Sequence, residues 1–578
     1  MTQRTRTAQD RRLAAAGSAT IVVLSGLALA PVLLSRGFVL IGDMAFVPDQ
    51  PWSPAWLGLD GSVPRAVPAD AVVSVLSQVL AADLLQKVVL LGALLLAGFG
   101  MRRFTGSLLA DNARLAPLGA AVLYLWNPWV LERLAIGHWG LLLGYAALPW
   151  AAAAAVAFRE HADRAGLAAV VLPLALASFA SPTGGLLAGF VVLVLGTDRA
   201  RVRDAATLLA AVAVTNLPWL LPGVLGSADA SDPAGVSGFA ARADTPYGVL
   251  GSVLSFGGIW KASVVPGERD SVLLVGLALL VTLASLAFLA RAHRRLLGVG
   301  LVGLGLAVLP TWGPGNDLVT WLVREVPGAG LLRDSQKWSA LLVLAACAGF
   351  ALVLDAANRA LRKNALPARA VIGTAVVFPV VLLPSFAWGI AGKLEPVGYP
   401  REWTQVRAVL DHQPAESRRI VVLPFSAYQA FAWNDGRAAL DPAIRFFPGE
   451  VISNDALGVG GGKVVVGEDR TAASIAQALE QGRPLLPVLR SARVRYVLVE
   501  RTAAGGARID DADLVTAGRV LYDGSELRLI DLGSGEVTGT RPYAPVVVVG
   551  DLLALVAVTA SGGLITVRRI HGKRDKIG

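Results

Sequence analysis

The sequence predicts a polytopic α-helical membrane protein with about twelve transmembrane helices and one extracytoplasmic α/β soluble domain. Its composition is the first indication, because 54% of the 578 residues are hydrophobic and only 16% are charged. A soluble protein needs more charge to cover its surface. The second indication is that the apolar residues fall in runs of roughly 16–25 residues, the length that crosses a hydrocarbon core of about 30 Å.

Twelve apolar runs mark the predicted transmembrane helices. They begin near residues 13, 72, 115, 139, 166, 183, 205, 271, 296, 338, 369 and 543. The first run follows a basic N terminus and is longer than the apolar region of a signal peptide, so we interpret it as a retained helix. The runs divide the chain into a transmembrane core (1–389), an extracytoplasmic domain (390–542) and a final helix with a basic tail (543–578).

Basic residues alternate between the connecting loops. They follow the second, fourth, sixth, eighth and tenth predicted helices and recur at the C terminus, as in Arg102, Arg159, Arg201, Arg294, Arg362 and Lys573. Basic loops are retained in the cytoplasm, so both termini are expected to be cytoplasmic and the protein to lie in the plasma (inner) membrane. The basic residues behind the net charge of +10 therefore indicate the orientation of the chain in the membrane. No nucleic-acid-binding pattern accompanies it, and we expect no nucleic-acid partner.

The extracytoplasmic segment 390–542 has an α/β pattern. Apolar runs at 420–425, 494–500 and 526–532 predict strands, and TAASIAQALEQG at 471–482 predicts a helix that ends at a glycine. The single cysteine, Cys347, lies within an apolar run and excludes a disulfide framework or a thiolate metal site. P-loop, G-x-S-x-G and H-E-x-x-H motifs are also missing, which argues against ATP-driven work by this chain alone.

The first extracytoplasmic loop contains four candidate site residues. It reads GDMAFVPDQPWSPAW and places Asp43 just beyond the first predicted helix, followed by Asp49, Trp52 and Trp56. A carboxylate at the membrane surface beside tryptophan rings is partly desolvated and can act as a general base. Alternatively, the tryptophans form an interfacial belt and the aspartates cap turns. Asp43 is favoured as functional because it is the carboxylate nearest the membrane.

A second motif reads NPWVLERLAIGHW. Asn127-Pro128 is expected to end the third predicted helix, which leaves Glu132, Arg133 and His138 in a short extracytoplasmic loop. Arg133 or His138 could bind a phosphate at the lipid headgroup level. The alternative is an ion pair between Glu132 and Arg133, with tryptophans anchoring the loop.

A third motif reads LLRDSQKW and contains Arg333, Asp334 and Lys337 at the start of the tenth predicted helix. Two cations and a carboxylate at a helix N terminus are typical of an anion site. A helix cap by Asp334 with a snorkelling Lys337 explains the same residues.

Together these motifs resemble the GT-C superfamily of membrane glycosyltransferases. More narrowly, they resemble the membrane core of actinobacterial arabinofuranosyltransferases that act on cell-wall arabinan, and more loosely the YfhO-like membrane proteins. The resemblance covers the first ~390 residues best. The Ala-, Arg-, Val- and Gly-rich composition suits an actinobacterial source. The arabinofuranosyltransferase in question is much longer and has large external carbohydrate-binding modules, which leaves the donor sugar and the acceptor open.

The resemblance implies sugar transfer from a polyprenyl-phosphate donor to a cell-envelope glycan or glycolipid, at the outer face of the bilayer, with inversion at the anomeric carbon. Arabinofuranose is the favoured sugar and mannose the alternative. Carried over by position, Asp43 would be the base and Asp49 the reserve candidate. The remaining assignments rest on chemistry alone. The candidates for binding the donor phosphate are Arg133, His138, Arg333 and Lys337. The candidates for contacting the sugars are Trp52, Trp56, Glu132 and Asp334. No cofactor is certain, and Mg²⁺ or Mn²⁺ stays open.

Two other classes of function remain open at this point. A lipid or glycan transporter (flippase) needs charges near the bilayer midplane. Asp83 and Lys87 are the main charges near a predicted span, and a short interfacial helix at 72–83 could account for them. A non-catalytic envelope-assembly scaffold would use the 390–542 domain to bind a partner.

Overall fold

The computed structural model describes residues 3–61, 66–109, 115–198, 200–226, 232–363, 368–459, 463–504 and 511–574. The helices that precede the sheet are α1 Gln3–Ala28, α2 Ala30–Leu34, α3 Ala69–Ser77, α4 Ala82–Leu108, α5 Leu115–Leu125, α6 Pro128–Ala135, α7 Trp139–Glu160, α8 Arg164–Ala180, α9 Pro182–Gly196, α10 Val202–Leu225, α11 Ala234–Gly238, α12 Gly248–Leu254, α13 Val272–Ala292, α14 Arg294–Val308, α15 Gly313–Glu325, α16 Ala340–Lys363, α17 Ala368–Leu382 and α18 Ala387–Gly392.

The chain is a multi-pass membrane protein. Within the described ranges, seven helices are long and apolar enough to cross a bilayer, and an eighth span results if the pair Gly373–Leu382 and Pro384–Gly392, bent by 74°, is counted as one. Three shorter apolar helices accompany them, at Ala14–Ala28, Arg164–Ala180 and Pro182–Gly196. The count of twelve transmembrane helices stays a prediction.

One predicted helix starts elsewhere in the structure, and another starts as predicted but is short. The run near residue 72 forms the short helix α3, and the long helix α4 starts only at Ala82, because Ala81 leaves the helical conformation. The run near residue 115 forms α5, which is only 11 residues long. Asn127 then caps α6 by accepting a hydrogen bond from the Val130 amide at 3.1 Å, as its position before a proline indicates.

The sheet lies in the C-terminal part of the chain. We call residues 401–531 the sheet unit; its strands are β1 Arg419–Leu423, β2 Tyr428–Ala430, β3 Ala438–Leu440, β4 Glu450–Ile452, β5 Leu457–Val459, β6 Lys463–Val465, β7 Tyr496–Glu500, β8 Arg519–Asp523 and β9 Leu527–Asp531. Its helices are α19 Arg401–Asp411, α20 Ala443–Phe446, α21 Arg470–Glu480, α22 Leu485–Ser491 and α23 Ala512–Ala517, and α24 Ala544–Arg574 closes the chain.

Five strands form one mixed sheet in the order β4-β1-β7-β9-β8. Strands β4, β1 and β7 are parallel to one another, and β9 runs antiparallel to its neighbours β7 and β8. Strand β1 is buried on both faces: Ile420 belongs to the cluster around Trp403 of α19, and Val421 to the cluster around Ile475 of α21. The alternation of side chains along a strand explains this division, and the three strands and the helix predicted from the sequence are all present. The domain limits at 390 and 542 stay predictions.

The sheet unit is joined to the helical core near the first loop of the chain. The backbone of Gly42 donates to Ala438 at 3.0 Å and accepts from Leu440 at 2.7 Å, so the β2–β3 hairpin pairs directly with this loop. Ion pairs strengthen the junction on either side: Asp49–Arg407, Asp70–Arg445 and Arg333–Glu468, at 3.0, 3.0 and 2.9 Å.

Candidate active site

Two glycines bring Asp43 next to His138. Gly42 has φ +53, and a Cβ there would lie 2.0 Å from the Ile136 carbonyl oxygen; Gly137 has φ +78, and its Cβ would lie 2.2 Å from the Ile41 carbonyl oxygen. Only glycine fits at both positions. The close approach lets the Asp43 amide donate to Ile136 at 2.9 Å, which locks the first loop onto the turn after α6.

The Asp43 carboxylate accepts hydrogen bonds on both oxygens. Its Oδ2 lies 3.1 Å from His138 Nε2, and its Oδ1 accepts from the hydroxyl of Tyr428 in the sheet unit. The Asp43 side chain is still 45% exposed although protein atoms surround it on most sides. Asp43 therefore lies, partly accessible, between His138 of the helical core and Tyr428 of the sheet unit. We call this place the Asp43 recess.

The contacts of His138 determine which of its nitrogens carries the proton. Arg133 Nη1 lies 3.1 Å from His138 Nδ1. A guanidinium can only donate, so Nδ1 must accept, and the proton of the neutral imidazole is on Nε2, from which it is donated to Asp43. Burial, together with Arg133, lowers the pKa of His138 against the opposing effect of Asp43. His138 is thus a neutral donor that orients the carboxylate.

Asp43 is held in its ionised form. Burial by itself would raise the pKa of Asp43, but His138, the Tyr428 hydrogen bond and the charge of Lys337 outweigh burial and hold the pKa well below its usual range. The recess therefore presents a permanent carboxylate, which can accept a hydrogen bond, and then the proton, from a bound hydroxyl group.

Behind His138, Arg133 connects the second motif to the third. Arg133 is fully buried and forms two hydrogen bonds to Asp334, at 2.7 and 3.0 Å, and one from Nε to Gln336 at 2.9 Å. Burial by itself would raise the pKa of Asp334, but the charges of Arg133 and Lys337 and the hydrogen bonds from Arg133 outweigh it and lower the pKa to about 2. Asp334 makes no side-chain cap on the turn that follows it.

Glu132 continues the buried polar chain in the opposite direction from Asp43. It is 0% exposed and accepts a hydrogen bond from the Gln336 amide at 3.3 Å. Its carboxylate lies 3.9 Å from the guanidinium of Arg269. Arg269 in turn forms a two-point ion pair with Asp244, at 2.7 and 2.8 Å. Burial and the nearby Asp244 raise the pKa of Glu132 well above its usual range. The sequence alternative of a Glu132–Arg133 ion pair is replaced by the Arg133–Asp334 pair.

Two lysines supply positive charge beside the Asp43 recess. Lys337 lies 3.7 Å from Asp334, and its side chain is 24% exposed. Lys261, in the loop before α13, is close enough to Asp43 for the carboxylate to oppose the effect of burial on its pKa. In the described part of the chain, no carboxylate lies within ion-pair distance of Lys261, so its ammonium is available to an anionic ligand.

The remaining candidates have other partners. Asp49 pairs with Arg407 and Arg333 with Glu468, and both pairs join the helical core to the sheet unit. Trp52 is 54% exposed, and Trp56 donates its indole N–H to the Pro51 carbonyl at 2.9 Å. Their predicted roles in catalysis, phosphate binding and sugar contact stay predictions. Asp43, Glu132, Arg133, His138, Asp334 and Lys337, in contrast, are linked in one network.

The residues around Asp43 do not fit a bound divalent cation. Mg²⁺ and Mn²⁺ require several oxygen ligands, whereas Asp43 is approached by donors and cations: His138, Tyr428, Lys337 and Lys261. Nowhere in the described ranges do three or more His, Cys, Asp or Glu side chains form a group that could hold a metal ion.

An apolar groove lies on the other side of the buried network. It lies between α5, α13, α16 and α17, with Leu123, Leu274, Phe350 and Phe378 in its wall. Asn127, Glu268 and Arg269 form its polar part. Because Arg269 also contacts the Glu132 region, the groove and the polar network share a wall.

Comparison with known proteins gives the fold. No family model and no curated protein matches the chain. The cryo-EM structure of arabinofuranosyltransferase AftD from Mycobacteria matches 92% of the chain, with a TM-score of 0.54 and 18% sequence identity. The chain shares the fold of the part of AftD that it matches. A mutant of AftD matches with the same TM-score and identity.

The chain spans 40% of the length of the AftD chain, so the AftD-like fold is shared with only part of that protein. An oligosaccharyltransferase from Archaeoglobus fulgidus also matches, with 12% identity over 84% of this chain and 68% of that one. Its TM-score of 0.36 is too low to support an argument about fold.

Three groups of site residues could not be found from the sequence motifs. Tyr428 lies 385 residues from Asp43 and belongs to the sheet unit. Lys261 follows Trp260 in a loop without a recognisable pattern, and the pair Asp244–Arg269 lies in the same long loop. A clue existed for Gln336 alone, since it falls within the third motif between Asp334 and Lys337.

Proposed function

We propose that this protein is an inverting glycosyltransferase that moves a sugar from a polyprenyl-phosphate donor to a cell-envelope glycan or glycolipid. The reaction takes place on the extracytoplasmic face of the plasma membrane, with both termini in the cytoplasm. The observation that carries the proposal is the ionised, partly exposed Asp43 carboxylate, held by His138 and Tyr428 beside two lysines. The shared AftD fold supports the same class of reaction.

In the proposed chemistry, Asp43 accepts the proton of the acceptor hydroxyl. The acceptor hydroxyl donates its hydrogen bond to Asp43, and its oxygen attacks the anomeric carbon of the donor sugar from the face opposite the phosphate. The proton passes to Asp43, the bond between the anomeric carbon and the phosphate oxygen breaks, and the lipid phosphate leaves with the bonding electrons. Attack from the opposite face inverts the anomeric centre. Positioning of the two substrates supplies much of the rate acceleration.

Lys337 and Lys261 are assigned to the donor phosphate. A polyprenyl phosphate gains negative charge on its bridging oxygen as the sugar leaves, and ammonium groups stabilise that charge most strongly where water is excluded. Arg133, by contrast, is saturated by Asp334, Gln336 and His138, so we assign it to positioning. His138 likewise acts on the carboxylate rather than on the phosphate.

The apolar groove suits a donor that stays in the bilayer. Its wall comes from four helices, and its polar part lies against the buried network that ends at Asp43. A lipid chain in the groove would keep the phosphate near the recess while the acceptor enters from water. AftD is an arabinofuranosyltransferase by name, which favours arabinofuranose over mannose as the donor sugar.

The test is sugar transfer by the purified protein in nanodiscs, supplied with radiolabelled polyprenyl-phosphate arabinofuranose or mannose and with acceptor oligosaccharides. We expect a product whose new anomeric centre is inverted relative to the donor, identified by NMR. Transfer with retention would contradict the mechanism. Donor movement between leaflets without transfer would instead identify a flippase, and a folded protein that neither transfers nor moves donor would point to a scaffold.

A further inference from the structure

Helix α15 has one apolar face buried against the protein. Gly315, Val319 and Val323 recur at intervals of four residues and are buried. The two valines pack with Val236 of α11. This face fixes how the helix is rotated.

The side of α15 away from the buried valines bears two exposed apolar side chains. Leu318 is 47% exposed and Trp321 is 55% exposed, and they lie three residues apart, on the side away from the buried valines. Trp312 and Val326, directly before and directly after the helix, are also exposed, at 56% and 43%. Exposed charged residues surround the Leu318 and Trp321 side chains: Asp317 and Arg324 beside them, and Glu325 on the same side at the C-terminal end of the helix. A helix that bears apolar side chains on two sides needs a second apolar surface to cover them.

The position of α15 indicates what covers this face. The helix connects α14 to the turn before α16, and both neighbours are candidate membrane spans. The far ends of these spans bear Arg294 and Arg362, so α15 lies at the opposite end, on the side of Asp334 and Asp43. The helix is about 20 Å long. Because both of its ends lie on this side of the membrane, it runs along the membrane surface.

We propose that α15 is an interfacial helix whose Leu318–Trp321 face is inserted into the outer leaflet of the bilayer. Tryptophan is preferred at this level because its ring is apolar and its N–H can reach water and headgroups. An amphipathic helix held in this way lies in the plane of the membrane. A short 3-10 turn, Ala329–Leu332, then leads into the Arg333–Lys337 segment. The membrane contact therefore sets the height of Lys337 at the headgroup level.

The test measures the depth of α15 in nanodiscs. Single cysteines replace Leu318 and Trp321 in a Cys347→Ala background, and each is labelled with a fluorophore and exposed to lipids that carry a nitroxide quencher near the headgroup. The matched control is Thr516→Cys, which is exposed on the sheet unit. We expect quenching by the lipid at positions 318 and 321 and none at 516.

Two outcomes would overturn the proposal. One is quenching of the labels at 318 and 321 by aqueous iodide as strongly as at 516, which would leave the face in water. The other is protection from both quenchers combined with self-crosslinking, which would make the face a contact between two copies. Neither result depends on catalysis, so the fate of this proposal is separate from that of the glycosyltransferase.

A second readout rests on the proposed function. Leu318→Ser/Trp321→Ser should raise KM for a long-chain lipid donor several-fold and leave kcat unchanged, because the helix sets the level of the donor phosphate but does not touch the reacting atoms. A short-chain, water-soluble donor should show no change in KM. Equal loss with both donors would contradict a role at the membrane surface.

Discussion

Arg133 and Asp334, 201 residues apart in the sequence, form a two-point ion pair at 2.7 and 3.0 Å in the interior of the protein. The pair joins the last turn of α6 to the turn before α16, and Arg133 also fixes the His138 ring that donates to Asp43. The orientation of the candidate base therefore depends on a contact between the second and third sequence motifs.

Removing Arg133 should destabilise the protein strongly. Arg133→Met takes the two-point partner from the buried Asp334 and leaves only Lys337 at 3.7 Å; removing one partner of a buried ion pair typically costs about 3–5 kcal/mol. The matched control is Arg493→Met, since Arg493 and Glu536 form an exposed pair, 68% and 66% accessible, and should change stability by less than about 1 kcal/mol. Unfolding in detergent measures both, and equal effects would mean that the buried pair does not hold the two motifs together.

Tyr428→Phe should reduce kcat while leaving the fold intact. The variant removes one of the two hydrogen bonds to Asp43, a charge-assisted contact worth about 1.5–3 kcal/mol. Loss of that bond should also raise the pKa of Asp43, so the acidic limb of the pH–rate profile should move to higher pH. Tyr522→Phe, which removes a hydrogen bond to Gln405 within the sheet unit, should do neither. An unchanged pH profile in Tyr428→Phe would leave Tyr428 with a structural role alone.

Lys261→Gln should weaken binding of the donor by about tenfold, the loss expected for one charge-assisted contact to phosphate. The expected signature is a higher KM for the donor with an unchanged KM for the acceptor. The matched control is Lys363→Gln, at the C-terminal end of α16, which should leave both KM values unchanged. A rise in the acceptor KM would instead place Lys261 at the acceptor.

A buried carboxyl pair in the sheet unit predicts a dependence of stability on pH. Asp441 and Glu500 are 0% and 2% exposed, and burial raises the pKa of each carboxyl group above its usual range, Glu500 also through the charge of Asp441. Tyr399 faces Asp441, and Arg445 is occupied by Asp70. No donor reaches either Glu500 oxygen among the described residues, so the pair must hold a proton in the folded state.

The sign of the effect follows from the raised pKa values. The folded state binds a proton that the unfolded state releases above about pH 4, so stability should fall as pH rises past that point, by up to about 1.4 kcal/mol per pH unit for each proton. Hydrogen exchange of β1 and β7, corrected for its intrinsic pH dependence, measures this. Asp441→Asn should flatten the slope and the exposed Asp513→Asn should not. A steep slope that survives in Asp441→Asn would contradict the shared proton.

The sequence predicts the helical core better than it predicts the recess. Hydropathy identifies the apolar helices because the bilayer imposes their length, and the three motifs do contribute Asp43, His138 and Lys337 to one network. Sequence periodicity does not show how the sheet unit packs on the helical core, so it cannot predict the contact between Tyr428 and Asp43. The sequence makes Asp49 the reserve candidate for the base, but in the structure its carboxylate forms an ion pair with Arg407.

The central claim is that Asp43 is the base, and the most direct measurement compares initial rates of sugar transfer by wild type, Asp43→Asn and Asp49→Asn in nanodiscs at saturating donor. Asp43→Asn keeps the shape of the side chain and its contact with Tyr428 but cannot take the proton. We expect kcat to fall by 10²–10⁴-fold with donor binding and thermal stability retained, and Asp49→Asn to stay near the wild-type rate. Transfer that survives in Asp43→Asn and is lost in Asp49→Asn would contradict the account.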